Sequence, residues 1–134
     1  MTVSRFALAL SIALFCVSCS SPAPLDPPTA EGPSGAECQA DSTLTYGNFA
    51  ADFFSSYCIR CHDSALSGAD RNGAPGNRNY DTLSGLVETG SMLIDQAAAA
   101  GPSRINTFMP PSAPRPSDAE RRQLGEWLAC GMQP

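Results

Sequence analysis

The chain has 134 residues, 43% of them hydrophobic, which suffices for one domain and a short appendage but not for two independent cores. Its 8 basic residues are all arginine and lie scattered among 13 acidic ones, for a net charge of −5. That balance excludes a nucleic-acid footprint and a polybasic membrane patch, and a partner steered by charge should present a basic face.

Arg5 precedes the apolar run from Phe6 to Phe15, which is too short to span a bilayer and reads as a secretory signal. The following Cys16-Val17-Ser18-Cys19-Ser20-Ser21 resembles a bacterial lipoprotein box, with small Ser18 just before Cys19, the residue that would carry the lipid. Cys16 departs from the aliphatic residue usual in that box, so the alternative is ordinary cleavage to a soluble periplasmic protein. Ser20-Ser21 lacks the acidic residue that retains some lipoproteins at the inner membrane, which points to the outer membrane. From Ser20 to Glu37 the chain has five prolines, one large apolar residue and no helical or strand period, the composition of a tether. The expected organisation is a signal peptide over 1–18, a lipidated cysteine and tether over 19–37, and one domain over 38–134.

In that domain Phe49, Phe53 and Tyr57 recur at i, i+4 and i+8, with Ala50 and Phe54 beside them, predicting a helix over 45–58. A Gly- and Pro-rich loop follows over 68–79, then two short helices over 82–87 and 91–99. Ser117-Asp118-Ala119-Glu120 is a capping box, Leu124, Trp127 and Leu128 form an apolar stripe, and Gly131 suits a left-handed C-cap, so a last helix is expected over 118–130. No strand pattern and no repeat occurs, and the fold class expected is all-α.

The first helix delivers Cys58-Ile59-Arg60-Cys61-His62. Two thiols one turn apart can bond both vinyl groups along one haem edge, and the histidine that follows is placed to ligate the iron. Structural zinc would need a fourth ligand, and His62 is the chain's single histidine. A thioredoxin-like dithiol would follow a buried strand, whereas here a helix comes first. The motif, behind an export signal, therefore reads as a haem c attachment site.

Taken in order, the helix, this motif, the loop, Met109-Pro110-Pro111 and the C-terminal helix resemble a class I mono-haem cytochrome c over residues 45–131. The resemblance implies a small helical domain wrapped round one haem, with N- and C-terminal helices crossing, and small residues such as Gly47 and Gly125 would suit a close crossing. It implies His62 and a methionine on the loop before the last helix as axial ligands. Met109, 47 residues past His62, has that placement, and Pro110-Pro111 would stiffen it; Met92, on an amphipathic helix, is the competitor. It further implies that His62 gives its other ring N–H to a proline carbonyl, and Pro75 lies 13 residues on. Arg104 and Tyr80 are candidates for bonding a haem propionate.

With Cys16 in the signal, Cys19 lipidated and Cys58 and Cys61 on haem, Cys38 and Cys130 remain, and in an oxidising periplasm they are expected to pair. A haem closed by His62 and Met109 has no open site for substrate, so the expected function is a membrane-tethered electron carrier serving redox partner proteins, and not an enzyme. The alternative is a sensor in which Met109 dissociates. A catalytic haem would want a distal acid–base side chain, and no second histidine is present to supply it.

Overall fold

Thr45 opens the first helical stretch with a reciprocal cap: Oγ1 accepts the Asn48 N–H at 3.1 Å while the Asn48 side-chain oxygen accepts the Thr45 N–H at 2.8 Å. In this computed structural model, which describes residues 32–134, the turn Tyr46–Ala50 is π-helical and runs into α1 (Ala51–Tyr57). The expected signal segment, the lipidation candidate Cys19 and the expected tether up to residue 31 lie outside the described residues. The chain departs from regular helix at Cys58, where φ is −118°, and resumes as the single turn α2 (Ile59–His62). The expected single helix is thus interrupted at Cys58, where the Cys58–His62 motif begins.

Residues 68–79 form a loop containing one 3₁₀ turn, Gly68–Arg71, ended by Asn72 in the left-handed region. Then come α3 (Leu83–Thr89) and α4 (Ser91–Ala98), separated by Gly90 at φ +90°, a conformation that few residues other than glycine adopt. The last helix, α5 (Asp118–Ala129), starts at the predicted box: Ser117 Oγ accepts the Glu120 N–H and the Glu120 carboxylate accepts the Ser117 N–H at 2.7 Å. Among the described residues there is no β-strand, so the fold is all-α; one isolated bridge joins Ala100 to Ile105. None of these helices is long and apolar enough to cross a membrane.

The apolar faces meet in one core of Ala50, Phe53, Phe54, Leu86, Ile94, Leu124 and Trp127. Phe54 is central, stacked edgewise on Tyr80 (5.7 Å between centroids) and on Trp127 (6.2 Å), and burying a ring of this size contributes about 2–3 kcal/mol. The Tyr57 hydroxyl links α1 to α5 by donating to Glu120 Oε1 at 2.8 Å.

A Gly47–Gly125 approach does not occur. Gly47 is exposed, while Gly125 is buried where a Cβ would overlap the Ala100 carbonyl oxygen and crowd the Ala36 side chain. Its missing side chain admits the loop after α4 and the N-terminal segment instead.

That segment differs from expectation. Residues 32–37 have a tether's composition, yet Ser34 is completely buried: its N–H donates to Asp95 Oδ2 at 2.8 Å, its hydroxyl bonds Asp95 Oδ1, and its carbonyl accepts the Ser103 N–H at 2.9 Å. Asn106 Nδ2 donates to the Gly32 carbonyl at 3.0 Å. The ordered fold therefore reaches back at least to Gly32. Small residues let the strip lie flat, and Asp95 supplies the acceptors that its backbone lacks. Just beyond it, Cys38 and Cys130 form a disulfide with Cα atoms 4.6 Å apart, tying the strip's end to the end of α5.

Candidate functional site

Residues of α1, α2, α4 and the 108–111 loop line a cavity of about 660 Å³, in the range of small-molecule and cofactor sites. Its wall is mostly apolar and includes Phe54, Cys58, Cys61, His62, Tyr80, Ile94 and Met109.

His62 ends α2, buried at 8% exposure. Its Nδ1 lies 3.0 Å from the Arg78 carbonyl oxygen, which can only accept, so Nδ1 carries the proton. Nε2 keeps its lone pair on a ring that lines the cavity. Burial lowers the His62 pKa; the Arg78 hydrogen bond opposes that shift, and the charges of Arg71 and Arg78 add to it. The ring is thus held neutral, the form that ligates a metal. Tyr80 stacks on it at 4.3 Å, nearly parallel, and the Tyr80 N–H donates to the His62 carbonyl at 2.7 Å.

The carbonyl that orients His62 belongs to Arg78 and not to Pro75, which corrects the sequence expectation. The cause is Arg71, a buried arginine that gathers the loop's carbonyls. Its Nη1 donates to Asp63 at 2.8 Å, and its Nη2 donates to Pro75 at 2.9 Å and to Arg78 at 2.8 Å. Pro75 has its carbonyl turned to the guanidinium, and the chain rises three residues further before one reaches the imidazole.

Cys58 and Cys61 are free thiols, partly exposed, both in the cavity wall and one helical turn apart. Burial pushes the Cys58 thiol up to about 12, partly countered by Arg121 and Arg60, so it stays protonated at neutral pH. That is the opposite of the low-pKa thiolate an exchange-active dithiol needs. Among the described residues no group of three or more His, Cys, Asp and Glu side chains is arranged to hold a metal ion.

Met109 lines the same cavity and is partly buried against the core. Its N–H donates to the Ala97 carbonyl at 2.8 Å, and its own carbonyl accepts from Arg121 Nη1 at 2.9 Å. The loop that follows is tied to the Cys58–His62 motif, because Arg60 donates to the carbonyls of Ser112 (2.5 Å) and Ala113 (2.6 Å). Met92 is 68% exposed and is not in the cavity wall. Of the two propionate candidates, Tyr80 lines the cavity, whereas Arg104 is exposed and lies over Gly32, outside the wall.

The structure thus brings Cys58, Cys61, His62 and Met109 round one space and leaves Met92 and Arg104 out. Sequence reasoning missed Arg71, Arg78 and Arg121. Arginines outside a cluster read as solvated charge, and only the excess of Gly, Pro and loop carbonyls around them hinted that donors were needed. No protein-family model, curated protein or solved structure matches this chain.

Proposed function

We propose that this chain is a c-type cytochrome that carries electrons, holding one haem covalently through Cys58 and Cys61 with His62 and Met109 as its axial ligands. The observation that carries the reading is the neutral His62, its Nδ1–H bound to Arg78 and its Nε2 free, in the wall of an apolar cavity that two unpaired thiols and a methionine share. These residues fit the group: a haem would need two protonated thiols at one edge, an imidazole nitrogen on one face, a thioether on the other, and a dry surround. When bound, it supplies a one-electron Fe(III)/Fe(II) couple.

The chain's own contribution is to fix both ligands and to exclude water. A neutral thioether favours the lower oxidation state, and an environment lined by Phe54, Ile94 and Phe108 disfavours added positive charge, so a raised potential is expected. On this reading the N-terminal segment anchors the carrier in the cell envelope, facing the periplasm, and its acidic surface selects partners with basic docking faces, giving association that weakens with salt.

The test is a spectrum of purified protein. A haem that stays with the polypeptide under denaturing conditions, a far-red Met–iron band when oxidised and no carbon monoxide binding at neutral pH are expected. Absence of covalent haem overturns the proposal, and ready carbon monoxide binding transfers it to the sensor reading.

A further inference from the structure

The methionine wall is closed from behind by a charge. Arg121 sits at the end of the first turn of α5, where the helix dipole disfavours a cation, and it is only 2% exposed. Its Nη1 donates to the carbonyls of Ala98 at 2.7 Å, Asn106 at 2.8 Å and Met109 at 2.9 Å. Two hydrogens serve three acceptors, drawn from the end of α4, the loop beyond it and Met109 itself.

Burying a guanidinium costs several kcal/mol of desolvation, which an apolar side chain in the same place would not incur. What the arginine adds is donors, and this loop is short of them. Pro110 and Pro111 have no N–H, which removes two main-chain donors beside the Met109 carbonyl. Side chains hold the loop: Arg115 of the loop itself reaches Pro111, Arg60 from α2 reaches Ser112 and Ala113, and both of these are exposed. Arg121 alone among the three is buried and bonds the Met109 peptide itself. With the Met109 N–H on Ala97, that residue is fixed at both its backbone N–H and its C=O.

We propose that Arg121 is the positioning residue that presents the Met109 side chain to the cavity, through the carbonyls of Ala98, Asn106 and Met109; this rests on the haem reading above. A merely structural arginine would tie α5 to α4 and affect overall stability alone. A positioning arginine governs how firmly the thioether holds the sixth position.

The test compares wild type, Arg121→Lys, Arg121→Met, Met109→Ala and, as a control, Phe49→Ala, which loosens the α1 aromatic packing away from Met109. Each is purified with its covalent haem, and the far-red band, carbon monoxide affinity and amide exchange at Met109 are measured. Arg121→Met is expected to lose the band and to bind carbon monoxide about 10- to 100-fold more tightly, the factor that corresponds to one lost hydrogen bond from a charged donor. Arg121→Lys, which keeps the charge but reaches fewer carbonyls, should keep a weakened band and show faster Met109 amide exchange; it also covers the case in which Arg121→Met does not fold. Phe49→Ala should keep the band. The proposal is overturned if both Arg121 variants match wild type in band and affinity, or if Phe49→Ala opens the iron as far as they do. A wild type without the band, or one that keeps it after Met109→Ala, overturns the ligand reading and this one together.

Discussion

The wall that carries His62 and the wall that carries Met109 each rest on a buried arginine bonded to main-chain carbonyls, but they differ in reach. Arg71 collects Asp63, Leu66, Ala74, Pro75 and Arg78, all within eight residues of itself. Arg121 collects Ala98, Asn106 and Met109, which lie 12 to 23 residues away on other elements. The first wall is a local loop that can order around its own arginine. The second exists only once α4, α5 and the 99–116 segment have docked, so long-range order has to precede it. On the proposed haem reading, a thioether that depends on tertiary assembly is the ligand expected to loosen first under stress.

The largest expected effect comes from a tie that belongs to neither wall. Replacing Cys38 and Cys130 by serine opens a link across 92 residues, worth about 4–5 kcal/mol on the chain-entropy account. Denaturant titration should show that loss, and the Met109 wall should still yield before the His62 wall; the reverse order would break the comparison. Arg71→Met should cost about 3 kcal/mol, since it strips donors from several buried carbonyls. Its effect should stay local. Faster exchange of the loop and of the Tyr80 amide, with the Met109 amide unchanged, is the expected pattern, and equal loosening of both walls would show that they are not separate units.

The same difference in reach explains what the sequence could tell. Local helical signals were readable: the Ser117–Glu120 box and the Phe49–Phe53–Tyr57 stripe each lie within a few turns, and the structure has helices there. The Cys38–Cys130 pair was readable because so few cysteines were left to choose from. Long-range uses of polar groups were not. Nothing in Pro-Ser-Gly announces that Ser34 is buried on Asp95, because the pairing spans 61 residues and uses a carboxylate that looks solvated. Pro75 was a reasonable carbonyl by distance along the chain, but Arg71 and the left-handed Asn72 reshape the loop and hand the role to Arg78. Gly125 was rightly marked as a place of close approach, with the wrong neighbour assigned.

Smaller effects sharpen the contrast at the edges of the walls. Ser117→Ala removes a hydroxyl that caps α5 four residues before Arg121, and should cost about 1 kcal/mol in denaturant titrations. If the comparison holds, that loss also speeds exchange at Met109 and leaves the Tyr80 amide alone.

The smallest effect is in pH, and one carboxylate braces each side. Asp81 accepts from the Ser64 N–H and hydroxyl behind the histidine wall, and its pKa is lowered chiefly by that side-chain bond. Glu120 braces α5, and its pKa is lowered by the Ser117 hydroxyl first, then the Ser117 N–H and the Tyr57 hydroxyl. Both folded values lie below the unfolded ones, so each contributes stability that is present above the unfolded pKa and is lost as pH falls through the folded one, a window from about pH 4 downward. Both groups are solvent-accessible, so salt should shrink the effect. Urea titrations at about pH 6 and about pH 3 should show wild type losing stability on acidification and Asp81→Asn and Glu120→Gln each losing less. Exchange at acid pH should divide the two, with Asp81 protonation loosening residues 63–80 and Glu120 protonation loosening 106–109. If acid opens both segments together whichever carboxylate is replaced, the walls titrate as one unit and the separation drawn between them fails.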